Sequence, residues 1–147
     1  LLLLMILYTQ VGAAEDSHHH GAHKKSDPSL HLDGANKWPT DKTLRTNMSE
    51  IHDHVKKNIG KIHKDSMSIR EYQELGKAID VNIKTIFKNC KLPAKADAQL
   101  HIIMAGLMGA NKTLIDDSSK KEKRKAIDET LTNYKAYLKF FDSTAKN

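Results

Sequence analysis

The sequence predicts an all-α protein folded as an up-down-up-down antiparallel four-helix bundle, on the strength of three observations. Apolar residues recur at spacings of three and four over four separate segments, which is the period of an amphipathic helix. Two Ser-x-x-Glu sequences, beginning at Ser68 and Ser119, are capping boxes that mark helix starts. The chain has only 7 Gly and 3 Pro among 147 residues, too few for the many turns of a β-sandwich or barrel.

The chain opens with an uncharged apolar segment, residues 1–14, which ends in small residues and precedes Glu15 and Asp16. This pattern is typical of the apolar core and cleavage site of a secretory signal peptide. The segment is shorter than the roughly 20 apolar residues of a membrane-spanning helix. We therefore expect a signal peptide, truncated at its start, and export to the periplasm of a Gram-negative bacterium. A retained N-terminal membrane anchor is the alternative.

Residues 15–38 are polar and poor in apolar side chains, which predicts a disordered tail. Leu30, Leu32 and Trp38 are the residues expected to dock this tail onto the domain. The tail also carries a short histidine tract, of a kind that binds Cu(II), Zn(II) or Ni(II) loosely: His18, His19, His20 and His23. Residues 39–142 are assigned to the bundle.

The first predicted helix starts at Thr40 or Asp41, whose side chains are suitable N-caps, and ends around residues 64–65. The second follows the capping box formed by Ser68 and Glu71. Their apolar stripes predict the buried faces, namely Leu44, Met48, Ile51, Val55, Ile59 and Ile62, and then Tyr72, Leu75, Ile79, Ile83, Ile86 and Cys90.

The third predicted helix runs from Ala94 or Asp97 to Asp116, and the fourth begins after Ser119 at the second capping box. Because the connections are short, consecutive helices should pack as antiparallel neighbours. The predicted buried stripes are Leu100, Ile103, Leu107, Ala110 and Leu114, followed by Ile127, Leu131, Tyr134, Leu138 and Phe141.

The predicted topology gathers sulfur and imidazole side chains at the end of the bundle where the first helix begins. Thiolate, thioether and imidazole groups suit Cu(I) or haem iron, and bundles hold such groups between facing helices. We expect a metal site with copper as the favoured ion and the ligands Met48, Cys90, His101 and Met104, with His52 as an additional candidate. The alternative is that these side chains are ordinary core or hydrogen-bonded structural groups.

Enzymatic function is not expected. The sequence holds no CxxCH or HExxH motif, no phosphate-binding loop and no Gly-rich dinucleotide turn. Cys90 and His101 could form a nucleophile and base, but no third orienting group accompanies them.

The formal net charge of +6 does not predict nucleic-acid binding, because Lys alternates with Asp and Glu along the helices, as on a solvated surface. A rival interpretation is a non-catalytic structural or interaction protein of the bacterial envelope with no cofactor. Its basic surface would meet an acidic protein or the envelope itself. We expect a monomer or a homodimer that is not an integral membrane protein after signal cleavage.

Residues 44–53 (LRTNMSEIHD) resemble the first helix of the small periplasmic four-helix b-type cytochromes, which share the cytochrome b/c′-like fold. In that family a Met near the start of the first helix is an axial haem ligand, and Met48 matches it. The second ligand is a His near the end of the fourth helix, whereas residues 132–141 contain no His.

This resemblance implies a bundle fold and a third interpretation, an atypical haem-binding electron-transfer protein with Met48 and His101 as ligands. Residues 89–101 also resemble a segment of small exported Gram-negative proteins with no established activity. Because the second family ligand is missing, we expect copper rather than haem.

Overall fold

The structure, a computed structural model, describes residues 29–144. It contains four α-helices, which are α1 (Lys42–His63), α2 (Ile69–Asn89), α3 (Ala94–Asp116) and α4 (Lys120–Phe140). Within residues 29–144 there are no strands, only two isolated β-bridges. The all-helical class is therefore confirmed. The predicted signal peptide and the histidine tract lie outside the described residues.

The helices contact one another in chain order, and α1 also contacts α4, so the contacts form a ring that is consistent with a bundle. None of the four combines the length and apolar character that crossing a bilayer requires. The connections are short, as predicted, and contain five, four and three residues in chain order.

The helix starts follow the predicted caps, with one exception. Asp41 caps α1 by accepting the Leu44 N–H at 2.7 Å, and Ser68 and Glu71 form the reciprocal box at the start of α2. At α4 the Ser119 hydroxyl accepts the Glu122 N–H at 3.4 Å. The Ser119 N–H, however, donates to Asp117 Oδ1 at 2.6 Å. The Asp117 carboxylate therefore accepts the N–H that Glu122 was expected to accept.

The core consists of the inward stripes of the helices and has the predicted composition in α1, α2 and α3. Ile59 and Cys90 are the two stripe residues in these helices that are only partly buried. The fully or nearly fully buried residues of the three stripes are Leu44, Met48, Ile51, Val55, Ile62, Tyr72, Leu75, Ile79, Ile83, Ile86, Leu100, Ile103, Leu107, Ala110 and Leu114.

The predicted stripe of α4 is partly wrong. Leu138 is 36% exposed, whereas Tyr137, one residue earlier, is 1% exposed. Lys123 and Thr130 are also buried on this face. Successive residues of a helix are rotated by about 100°, so a stripe that passes through Leu138 instead of Tyr137 places the buried face of α4 about 100° from its observed position at this turn. Burial raises the pKa of the Tyr137 phenol.

Residues 29–38, which the sequence assigns to the tail, pack against one end of the helices. Trp38 is 4% exposed, and its indole Nε1 donates to the carbonyl of His31 at 2.6 Å. The Trp38 N–H donates to Phe140 O at 2.8 Å, and the Asp142 N–H donates to Trp38 O at 2.9 Å. The backbone before α1 is thereby bridged to the backbone after α4.

Candidate metal centre

A cavity of about 180 Å³ lies between the end of α2 and the first turns of α3. Cys90 is the C-cap of α2, and the Cys90 N–H still donates to Ile86 O, as in the helix. Its position at the end of α2 brings it into the lining of the cavity. His101 and Met104 lie three residues apart on α3, which places both on one face of that helix. The cavity is lined by Ile86, Phe87, Cys90, Asp97, Leu100, His101 and Met104.

Three of the five predicted bundle ligands therefore share this cavity. They are a thiol, an imidazole and a thioether from Cys90, His101 and Met104. Met48 and His52 are not among the lining residues. The tail candidates His18, His19, His20 and His23 lie outside the described residues.

The Cys90 thiol is partly buried and faces a carboxylate. Its Sγ donates to Asp41 Oδ1 over 3.6 Å. Burial, followed by the negative charge and the hydrogen bond of Asp41, raises the pKa of the Cys90 thiol to about 12. Cys90 is consequently a neutral thiol in the metal-free protein at neutral pH.

Asp41 is held in place by backbone groups from two elements. Oδ1 accepts the N–H of Leu44 at 2.7 Å, which caps α1, and Oδ2 accepts the N–H of Lys91 at 2.6 Å. This carboxylate therefore joins the start of α1 to the residue that follows Cys90. The sequence identified Asp41 as a cap, but no local pattern indicates its contact with a thiol 49 positions away.

His101 is largely exposed, and a contact with Asp97 fixes the orientation of its ring. Its side chain is 57% exposed, and its Nδ1 lies 2.8 Å from the backbone carbonyl of Asp97. Because a carbonyl oxygen only accepts, Nδ1 is the donor in this contact, and Nε2 is the ring nitrogen left for another partner. The Asp97 carboxylate lies 3.4 Å from the same Nδ1. Phe87 packs edge-on to the imidazole, with ring centroids 5.9 Å apart.

Asp97 and Phe87 are cavity residues that sequence reasoning missed as site residues. Asp97 was identified only as a candidate helix start, although its spacing of four from His101 is the signal for a contact on one helix face. Phe87 is 49% exposed and lies off the apolar stripe of α2. An apolar residue off the stripe is weak evidence by itself, because single exposed hydrophobics are common.

The two remaining candidates occupy other environments. Met48 is 0% exposed and belongs to the hydrophobic core. The His52 side chain is 35% exposed and stacks on Tyr134, with ring centroids 4.5 Å apart and an interplanar angle of 12°. Its Nδ1 lies 3.8 Å from Asp53 Oδ1.

Across residues 29–144, no group of three or more His, Cys, Asp and Glu side chains is arranged to hold a metal ion. A metal site in the cavity would therefore depend on the Met104 thioether as one of its donors. Met104 is 1% exposed, so its sulfur is shielded from bulk solvent.

Comparison of the chain with protein-family models, with curated proteins and with solved structures finds no match in any of the three.

Proposed function

We propose that this protein is an exported, periplasmic metal-binding bundle protein that holds one copper ion as Cu(I) in the cavity between α2 and α3. Cys90, His101 and Met104 are the proposed ligands. The observation that carries the proposal is that these three donor side chains line one cavity of about 180 Å³. Residues 1–14 are the proposed signal peptide.

The ligand chemistry supports Cu(I) over harder ions. Thiolate and thioether groups are soft ligands that select Cu(I), and imidazole is compatible with it. The hydrogen bond from His101 Nδ1 to the Asp97 carbonyl is the outer-shell contact that metal-ligating histidines commonly make, because it fixes the ring and frees Nε2. Asp97 therefore positions His101 without being a ligand.

Because Cys90 is a neutral thiol in the metal-free protein, binding of Cu(I) must release the thiol proton to solvent. The ion binds a thiolate, so Cu(I) replaces the thiol proton that the Asp41 contact retains in the metal-free protein. The cavity would then hold one cation and one thiolate, which limits the cost of placing charge in a partly buried site.

The proposed antiparallel up-down-up-down order supports the position of the site. Asp41, at the start of α1, accepts the N–H of Lys91, just after the end of α2. Arg124, early in α4, lies 3.3 Å from Asp65, just after the end of α1. Both contacts join the beginning of one helix to the end of another, as expected between antiparallel helices.

The tail histidines have a separate proposed role. His18, His19, His20 and His23 would capture metal ions weakly and exchange them quickly. Met48 and His52 are left out of the proposed site, because neither side chain lines the cavity. The His52 ring stacks on Tyr134 instead.

The experiment is native mass spectrometry under reducing conditions with one equivalent of Cu(I). It uses the full chain and a variant in which the four tail histidines are Ala. We expect one Cu(I) to remain bound in both chains. Cys90→Ala should abolish retention, and Met104→Leu should weaken it. Met108→Leu is the matched control, because Met108 lies one turn along α3, is 49% exposed and does not line the cavity.

Retention of Cu(I) by Cys90→Ala at the wild-type level would contradict the cavity site. Loss of all binding with the tail histidines would leave the histidine tract as the copper-binding element. A Soret band on haem addition that Met48→Ala abolishes would favour the haem-binding alternative. The cavity, at about 180 Å³, is smaller than the roughly 300–1,000 Å³ of typical pockets for organic ligands, which supports an ion over haem.

A further inference from the structure

The outward side of α2 carries a line of lysines interrupted by one valine. Lys77, Val81, Lys84 and Lys88 follow one another at spacings of four, three and four, so they lie along a single stripe of the helix. All four are exposed, and Val81 is 63% exposed. We call this stripe, together with Phe87 of α2 and Met108 of α3, the basic-apolar face.

The apolar members of this face are prominent. Phe87 and Met108 are each 49% exposed and both line a groove of about 340 Å³ between α2 and α3. With Val81 they account for three of the four large hydrophobic side chains that are exposed among residues 29–144. The fourth, Leu138, is on α4.

The charge of this face is unbalanced. Lys77 and Lys88 have no ion-pair partner within residues 29–144. The same is true of Lys91, which follows α2, and of Lys95, in the first turn of α3. The nearby carboxylates are engaged. Asp80 pairs with Lys84 at 2.5 Å, Asp116 pairs with Lys112 at 2.5 Å, and Asp97 lies beside His101. The face therefore presents unneutralised ammonium groups around exposed apolar side chains.

We propose that the basic-apolar face binds the surface of an anionic phospholipid bilayer. The free lysines would meet phosphate groups, while Val81, Phe87 and Met108 enter the boundary between headgroups and acyl chains. A bilayer is favoured over an acidic protein because the exposed apolar side chains are spread over two helices with lysines beside them, as an interface of charged headgroups and acyl chains requires. The proposal is independent of copper and rests on charge complementarity together with the exposure of these three residues.

The test is co-sedimentation of the full, metal-free chain with vesicles at low ionic strength. Vesicles of phosphatidylcholine alone are compared with vesicles in which part of the lipid is phosphatidylglycerol, which carries a negative charge. We expect stronger binding to the anionic vesicles, reduced by added salt because screening shortens the range of surface charge. Binding to the phosphatidylcholine vesicles measures the part that does not depend on anionic lipid, and the difference between the two vesicle types measures the part that does.

The decisive comparison is between two double variants with the same change in net charge. Lys77→Glu with Lys88→Glu alters the face. Lys57→Glu with Lys135→Glu alters exposed lysines on α1 and α4 that have no ion-pair partner in the described part of the chain. We expect the first pair to weaken anionic binding by more than about thirtyfold, because each substitution removes an attracted charge and adds a repelled one, and the second pair to weaken it far less. Circular dichroism confirms that each variant is folded.

Equal losses in the two double variants would overturn the proposal, since they would show only a response to net charge. Absence of any preference for anionic vesicles would overturn it as well. Binding to poly-glutamate through Lys77 and Lys88 without binding to vesicles would replace the bilayer with an acidic polypeptide. Val81→Ser with Met108→Ser should lower vesicle binding severalfold, and unchanged binding would contradict insertion of the apolar side chains.

Discussion

The buried Lys123 caps the C-terminal end of α3 by donating to the Leu114 carbonyl. Its side chain is 0% exposed, and its Nζ donates to the backbone carbonyls of Leu114 at 2.5 Å and Thr113 at 3.3 Å. The last carbonyls of a helix lack intrahelical partners, and a cation there also complements the helix dipole. Burial lowers the pKa of the Lys123 amine, while the nearby Asp117 and Asp116 oppose that shift.

Lys123→Ala should destabilise the protein by about 2 kcal/mol or more, because it removes a buried side chain and takes the ammonium donor away from the Leu114 carbonyl. The Thr113 carbonyl still accepts the N–H of Asp117. The free energy of unfolding from urea titration measures this loss. Lys121→Ala is the matched control, since Lys121 is exposed on the same helical turn and should change stability by less than about 0.5 kcal/mol. Equal effects in the two variants would contradict the capping role.

Acid should remove the stabilisation that Glu71 provides at the start of α2. The hydrogen bond from Lys61, and then those from the Ser68 backbone and hydroxyl, lower the pKa of Glu71 to about 2 from its usual 4.5. Since the folded-state pKa is the lower one, this contribution is complete above pH 4.5 and is lost as the pH falls toward 2.

The difference in unfolding free energy between wild type and Glu71→Gln should therefore be largest near neutral pH and should vanish near pH 2. Urea titrations over this range measure it. Glu74→Gln provides the control. Glu74 lies three residues after Glu71 on the same helix and forms an exposed ion pair with Arg70. A wild-type advantage that persisted unchanged at pH 2 would refute the assignment.

Cys90 should react slowly with iodoacetamide in the metal-free protein. A thiol pKa of about 12, against an ordinary 9.0, leaves about a thousandfold less thiolate at pH 8. The thiolate of a higher-pKa thiol is the stronger nucleophile, which offsets part of this loss, so the measured rate should fall about 30- to 60-fold below that of an exposed cysteine peptide.

Asp41→Asn should speed this alkylation, because it removes the carboxylate next to Sγ but retains a good N-cap for α1. Mass spectrometry of the alkylated chain follows both rates. If wild type reacted as fast as the peptide, Cys90 would be neither buried nor hydrogen-bonded as described. If Asp41→Asn reacted no faster, the carboxylate would have no influence on the thiol.

Two glycines offer a matched pair of Gly→Ala substitutions within helices. A Cβ at Gly76 would lie 2.9 Å from Ile115 Cγ1 and 3.0 Å from Leu114 Cβ, whereas one at Gly60 would have no atom within 4 Å. Both substitutions gain helix propensity of up to about 1 kcal/mol.

Gly60→Ala should accordingly stabilise the protein by up to about 1 kcal/mol, and Gly76→Ala should destabilise it by about 1 kcal/mol, because overpacking exceeds the propensity gain. Thermal unfolding and urea titration both report the sign. Stabilisation by Gly76→Ala would show that α2 and α3 are less closely packed at this crossing than the structure indicates.

The helices were predictable because their signals are local. The Ser68 and Glu71 box and the apolar spacing of α1 to α3 each depend on residues within one or two turns. The burial of Lys123 was not predictable in this way, since it depends on carbonyls from another helix. Trp38 likewise joins the packed unit through the backbone of Phe140, about a hundred positions away.

The candidate site was predictable in part for the same reason. The topology predicted that Cys90, His101 and Met104 would come close, and they line one cavity. The side-chain directions of Met48 and His52 depend on rotation of α1 about its axis and on the stacking partner Tyr134. No spacing rule within α1 specifies that partner.

The backbone bridge between Trp38 and the residues that end α4 makes the two ends of the four-helix unit neighbours. A short Gly-rich linker could therefore join the residues beyond Ser143 to those before Trp38, and new termini could be opened in the loop between α3 and α4. Such a circularly permuted chain would retain every helix, and it would keep Cys90, His101 and Met104 within one uninterrupted stretch of sequence.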